Sequence, residues 1–289
     1  MRSMWIKILF GALAFVVITL FVVIFVNKRR LDRAHAQLKE DLLAARGSPV
    51  NANAVFSSKE LAGLPAPVQR YLNKAIPEGQ PYVRAVRLHQ VGEFRLGDRT
   101  APWKPLEAEQ VFTVDPPGFV WDAQIDMAPL VSARVVDMYK EGQGALRAKV
   151  FSTLLVADAP SCPEIDSGEL MRYLAESVWF PTALLPSQGV VWSPIDAHSA
   201  RATLEHQGNR VSLVFTFNDE DDVARVHTES RYREIDGEYE ATPWTGYFSN
   251  YQIRNGLCIP LDGEVMWNLP DGDLPYWRAH LDNIHYDMQ

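Results

Sequence analysis

The chain has 289 residues, 47% hydrophobic and 11% aromatic, with a formal charge of -8 and a pI near 5.4. That acidic balance argues against nucleic acid, or an anionic lipid surface, as the main partner of the folded part. The two cysteines, Cys162 and Cys258, lie in no CxxC or Cys/His spacing, which excludes the familiar zinc and redox motifs; they read as free thiols that pair only if the domain is exported.

Ile8 to Val26 is an apolar run interrupted only by Thr19 and ended by Asn27-Lys28-Arg29-Arg30. At about 1.5 Å per helical residue it spans about 28 Å, close to the hydrocarbon thickness of a bilayer. A signal peptide has a shorter apolar region and a small-x-small cleavage site, so the expectation is an uncleaved single-pass transmembrane helix over residues 4–27. Lys28, Arg29, Arg30 and Arg33 outnumber Arg2 and Lys7 and lean toward a cytoplasmic C-terminal domain, although a large domain can override flanking charge and the side stays open.

Leu31, Ala34, Leu38, Leu42 and Ala45 recur at three and four, so the helix is expected to continue into solvent until Gly47-Ser48-Pro49 breaks it. Residues 28–57 thus read as a juxtamembrane helix and linker, and 58–289 as a β-rich globular domain. Pro65 and Pro67 open a helix with an apolar face of Val68, Tyr71, Leu72, Ala75 and Ile76, stopped by Pro77 and Gly79.

From Val83 the period becomes two. Val86, Leu88, Phe94 and Leu96 share one face of a strand, and Leu106, Ala108, Phe112 and Val114 follow, then Phe119, Trp121, Ala123, Ile125 and Met127, with turns at Asp115-Pro116-Pro117-Gly118 and Ala128-Pro129. Further strands are expected over 131–140, 145–156, 200–206, 211–217, 224–234, 247–254, 257–267 and 277–287. One helix interrupts them: Asp166 or Ser167 can cap it, and Leu170, Leu174 and Val178 beside Met171, Ala175 and Trp179 give it an apolar arc wide enough for deep burial. The fold class is α+β, mostly antiparallel β: a curled sheet or half-barrel covered by a few helices, preceded by a transmembrane helix.

The segments Leu64-Pro65-Ala66-Pro67-Val68-Gln69-Arg70-Tyr71-Leu72, Pro117-Gly118-Phe119-Val120-Trp121-Asp122, Gly168-Glu169-Leu170-Met171-Arg172-Tyr173-Leu174-Ala175-Glu176, Trp179-Phe180-Pro181-Thr182 and Thr242-Pro243-Trp244 resemble those of an uncharacterised bacterial family. Its members carry an N-terminal membrane helix and have no assigned activity, so the resemblance implies a bacterial inner-membrane location and supplies no catalytic residues. The half-barrel look is similar in architecture, not in motif, to periplasmic lipoprotein carriers.

Asp122 and Asp126 share one strand face about 13 Å apart, too far for a shared metal or proton, and read as a solvated face. Asp219-Glu220-Asp221-Asp222 reads as a charged hairpin tip. The seven histidines form no HExxH, and His280 and His285 are expected on opposite faces of the last strand. No GxSxG, P-loop or dinucleotide fingerprint occurs, and no metal or cofactor is implied. The aromatic set is more suggestive: Trp121, Tyr173, Trp179, Phe180, Trp192 and Trp267 could line an apolar pocket or simply fill the core. Glu169 and Arg172, at i and i+3, are expected to pair with each other or to cap the helix, with one of them facing a pocket mouth as the alternative. The first reading is therefore a membrane-tethered, non-enzymatic module holding an apolar ligand such as a lipid or acyl chain. The alternatives are an enzyme whose site is assembled from scattered residues, with Glu169, Arg172 and His280 the first candidates, and a structural protein of the cell envelope.

Overall fold

A computed structural model describes residues 2–47 and 55–288; most of the expected linker, residues 48–54, lies outside the described residues. Thirteen antiparallel strands form one curled, unclosed sheet in the order β6-β5-β4-β3-β2-β1-β13-β12-β11-β10-β9-β8-β7. The order follows from short hairpins: β1(Ala85–Phe94) to β6(Leu154–Ala159) form one meander, β7(Val191–Pro194) to β13(Gly272–Asp287) a second, and β1 pairs with β13 to join them. The strands between are β2(Lys104–Thr113), β3(Gly118–Ala128), β4(Val131–Lys140), β5(Gln143–Val150), β8(Ser199–His206), β9(Asn209–Phe217), β10(Val223–Ile235), β11(Glu238–Arg254) and β12(Leu257–Leu269). The sheet curls until the β4–β5 and β8–β9 turns touch. There Asn209 donates to the Gly142 carbonyl at 2.8 Å and the Tyr139 hydroxyl lies 3.0 Å from His206 Nδ1, with no strand pairing across the gap.

The concave face is filled by α3(Pro163–Glu176) and the short 3-10 turns from Ser177 to Gln188, with α2(Ala66–Ala75) beside them. Leu170, Leu174, Val178, Trp179 and Phe180 have no exposed surface, as the wide apolar arc required. The helix starts a turn earlier than expected because Pro163 suits the first helical position. Asp166 is therefore not its cap; its carboxylate accepts from the Gly144 N–H at 2.7 Å. At Gly144 a Cβ would lie 2.9 Å from the Ile165 carbonyl oxygen, so glycine lets the helix lie directly on β5.

The expected strand over 145–156 is two, β5 and β6, folded back at Phe151–Thr153. β11 and β13 begin several residues before the expected starts, because Pro243 and Pro275 fall at register shifts where a missing N–H costs no ladder bond. The acidic run 219–222 is a hairpin tip, docked on α2 through Arg70–Asp221 at 2.6 Å and Lys74–Asp222 at 2.7 Å.

The largest departure concerns the N-terminal helix. α1(Arg2–Ala44) is a single helix of 43 residues, about 64 Å long at about 1.5 Å per residue. None of its apolar part is buried. Its last turns do not run into solvent but lie across the convex face of β1 to β4, where Leu38, Leu42 and Leu43 pack on Ala85, Val111, Val120, Val136 and Met138. Gly118 permits the approach, since a Cβ there would meet Leu42 at 2.8 Å. Asp122, expected to be solvated, is consequently buried beneath α1: its carboxylate meets His35 Nδ1 at 2.8 Å, Arg134 Nη2 at 2.6 Å and Lys39 Nζ at 3.3 Å.

Candidate functional site

Alternation puts Val135, Asp137 and Tyr139 of β4 on the concave side, with Phe119 and Trp121 of β3, Gln110 and Phe112 of β2, and Leu88 and Gln90 of β1. α3 lays Glu169, Arg172 and Glu176 against them. Arg172 does not pair with Glu169, as its spacing suggested. It reaches Asp137 at 2.5 Å and Glu176 at 2.9 Å, because β4 and the next helical turn offer carboxylates with better geometry. Its guanidinium sits 4.9 Å from the ring centres of both Phe119 and Trp121. Glu169 faces Arg231 of β10 at 3.7 Å.

From this ionic cluster a chain of amides crosses the sheet. Gln110 donates to Glu176 at 2.7 Å, Gln90 to Gln110 at 3.2 Å, and the Trp121 indole to Gln90 at 2.9 Å. Three carboxylates thus share two guanidiniums in a buried interior, and one oxygen each of Asp137 and Glu169 has no hydrogen-bond partner among the described residues. Burial first, then the neighbouring Asp137 charge, pushes the Glu169 carboxyl up to about 8. This shift favours the protonated form, which offsets the excess negative charge of the cluster. Burial also raises Asp137 and Glu176, against the pull of Arg172.

Arg231 stacks 5.0 Å from Trp244 and 5.9 Å from Trp267. Beyond it the inner face reaches solvent: Phe94, Trp267 and Tyr276 are inward yet only half-buried, with Tyr276 stacked on Trp267 at 5.8 Å and edge-on to Phe94 at 6.1 Å. The Trp244 indole donates to the Tyr276 hydroxyl at 2.9 Å and fixes the ring. Arg233, 5.9 Å from the Trp267 ring centre, has no carboxylate partner among the described residues. We take these groups as the candidate site at the mouth of the curled sheet: an aromatic lip, a guanidinium without a carboxylate partner among the described residues at its edge, and the ionic cluster as its floor.

The eight residues singled out in the sequence fall into separate places. Trp121, Glu169 and Arg172 join in the floor, and Trp267 stands in the mouth. Tyr173, Trp179 and Phe180 are fully packed with Phe112 in the aromatic core. Trp192 lies on the other edge of the sheet against Phe215, its indole donating to the Leu184 carbonyl at 2.9 Å. His280 is on the convex side, 2.5 Å from Asp262, and does not converge with Glu169 and Arg172. It shares that exposed face with His285 instead of opposing it, because the register shift opposite His89/Gln90 inserts a residue between Leu281 and Asn283. Two hollows, of about 420 and 390 Å³, also lie on the convex side. The first holds Tyr247, Asp262, Arg278 and His280; the second borders α1 at Lys39, Glu109 and Asp122. Sequence reading missed Gln90, Gln110, Asp137, Glu176, Arg231 and Arg233. The available signal was a polar residue at an inward position in each of the strands β1, β2 and β4.

Among solved structures, the chain is similar to a DUF1329 family protein from Desulfovibrio piger (11% identity, 71% of this chain and 86% of that one, TM-score 0.41) and to a LolA superfamily protein from Nitrosomonas europaea (8% identity, 77% and 92%, TM-score 0.41). It also matches a β-barrel-like DUF1849 protein from Brucella abortus (11% identity, 72% and 99%, TM-score 0.23). No curated protein matches it. The resemblance to an uncharacterised family is borne out over residues 62–286, from α2 to the end of β13: the chain belongs to the family of unknown function DUF6920.

Proposed function

We propose that this protein is a membrane-tethered, non-enzymatic binding module that takes an apolar molecule with an acidic head, a lipid or fatty acyl chain, at the mouth of the curled sheet. The observation that carries this reading is the pairing of an inward but half-exposed aromatic lip, Phe94, Trp267 and Tyr276, with Arg233, a guanidinium lacking a carboxylate partner among the described residues. Apolar area supplies affinity, and a few placed polar groups fix orientation. The tether is α1, whose apolar surface is too long and too exposed to be left in water. The deep interior beneath α3 is packed, so the ligand lies along the mouth and not under the helix.

A photoactivatable fatty acid, added to the full-length chain in lipid nanodiscs, tests this. Cross-links are expected in the β1, β10, β12 and β13 peptides that carry the mouth, and Trp267→Ala with Arg233→Ala should reduce them about tenfold while leaving the thermal midpoint within a few degrees. Cross-links confined to α1 would mark annular lipid only and would leave a structural role in front.

A further inference from the structure

The β3–β4 and β5–β6 turns break the usual chemistry of water-facing turns. Leu130, 99% exposed at the tip of the first, has a φ of +64°, and Phe151 and Ser152 in the second have φ values of +52° and +55°. Positive φ favours Gly, Asn or Asp, and a large apolar side chain there is both strained and, in water, unrewarded. Leu154, Leu155 and Val156 follow in the edge strand β6, each more than half exposed. The two turns are neighbours, since the Phe151 N–H donates to the Ser132 carbonyl at 3.4 Å.

Their position relative to α1 gives these residues a common environment. The apolar run of the helix ends at Val26, and the next residue, Asn27, donates its side-chain amide to Thr153 Oγ1 at 3.1 Å. One turn further, Asp32 meets Arg134 of β4 at 3.2 Å. The β5–β6 turn is therefore pinned to the helix at the level where a membrane-spanning segment leaves the hydrocarbon. Lys28, Arg29 and Arg30 lie at the same level, where headgroup phosphates would be.

We infer that Leu130, Phe151 and Leu154 form an apolar rim that inserts into the bilayer interface, making a second membrane contact that fixes the orientation of the sheet on its anchor. This rests on the reading of α1 as a membrane anchor. The interface offers what water does not, burial of strained apolar turn residues, and it covers the tip of β6, an edge open to strand pairing.

The test uses the full-length chain with Cys162→Ser and Cys258→Ser, one cysteine introduced at a time and labelled with an environment-sensitive fluorophore, in phosphatidylcholine nanodiscs containing nitroxide-bearing lipid. Labels at Leu130→Cys and Leu154→Cys should be blue-shifted and quenched about twofold by a nitroxide near the headgroup. A label at Asp219→Cys, in the turn at the opposite end of the strands, should be unaffected. Phe15→Cys reports the anchor, with quenching expected from a nitroxide deep in the acyl chain. Quenching at Phe15 without quenching at Leu130 and Leu154 overturns the rim and leaves the anchor standing, and dimers on sizing would then assign the patch to a second copy. No quenching at Phe15 overturns both.

Discussion

Two buried ionic clusters lie back to back on adjacent strands, and they are tuned in opposite directions. Asp122 of β3 points outward and Asp137 of β4 inward, since Asp137 is the register partner of the inward Trp121. Burial works against the charge of both. On the outer side the His35 hydrogen bond and the Arg134 cation hold the Asp122 carboxyl well below the usual range despite burial, with Lys39 Nζ also 3.3 Å away. On the inner side three carboxylates share Arg172 and Arg231, burial wins, and all three carboxyls are raised. Charge balance separates them, together with the deeper burial of the inner acids. The outer cluster is a closed clasp holding α1 to the sheet, whereas the inner one keeps unpartnered oxygens beside a mouth.

The comparison can be broken most sharply at Arg172. Removing it leaves Asp137 and Glu176 buried without their main cation, and Arg172→Ala should destabilise the protein by about 3–5 kcal/mol. Arg172→Met, keeping the stem against Phe119 and Trp121, should recover only part of the loss. Thermal unfolding of the full-length chain in detergent measures both. A midpoint unchanged in the alanine variant would mean that the inner cluster is solvated and that the contrast between the two faces does not exist.

A smaller effect is expected on the outer face. Asp122→Ala should cost about 2–3 kcal/mol, because Lys39 keeps Glu109 and Arg134 keeps Asp32. It should also loosen α1, giving faster amide exchange over residues 31–44 than in the parent chain. The folded-state value of Asp122 is depressed, so its stabilisation is present above the unfolded value of about 3.9 and is lost as pH falls below it. The variant should therefore lose less stability on acidification than the wild type. Equal acid sensitivity would remove Asp122 as the clasp.

Alternation made the two faces of β2 and β3 legible: Phe119, Trp121, Ala123 and Ile125 do point inward, and the mid-chain helix is packed where its apolar arc required. The clasp was harder to read because Leu38 and Leu42 fit a solvated amphipathic helix equally well. What distinguishes the docked helix is that Val111, Val120 and Val136 make the outward faces of three adjacent strands apolar, and matching a helix to those faces needs the strand register. The inner cluster was half visible. Glu169 and Arg172 stood out on the helix, but their partners come from β4 and β10, about 35 and 60 residues away in sequence, and only the curl of the sheet brings them together. Periodicity fixes the direction a side chain takes, not what it meets there.

The smallest expected effect, at mildly acidic pH, tests the inner cluster most directly. If Glu169 is protonated in the folded chain, Glu169→Gln is nearly isosteric and should change stability by less than about 1 kcal/mol near pH 4, where the carboxyl is also largely protonated in the unfolded chain. The pH dependence should nonetheless differ. The folded-state value, about 8, lies above the unfolded value, so between them the folded protein binds the extra proton and its stability falls as pH rises from about 4.3 toward 8, then levels off. Asp137 and Glu176 are shifted in the same direction and add to the slope. Glu169→Gln cannot lose that proton, so its unfolding midpoint should decline less across this range, and the variant should become the more stable of the two from about pH 5 upward, with the gap levelling off near pH 8. Parallel curves for wild type and variant from pH 5 to 9 would show that Glu169 is ionised throughout, and the inner cluster would then carry a net charge like any exposed group of acids.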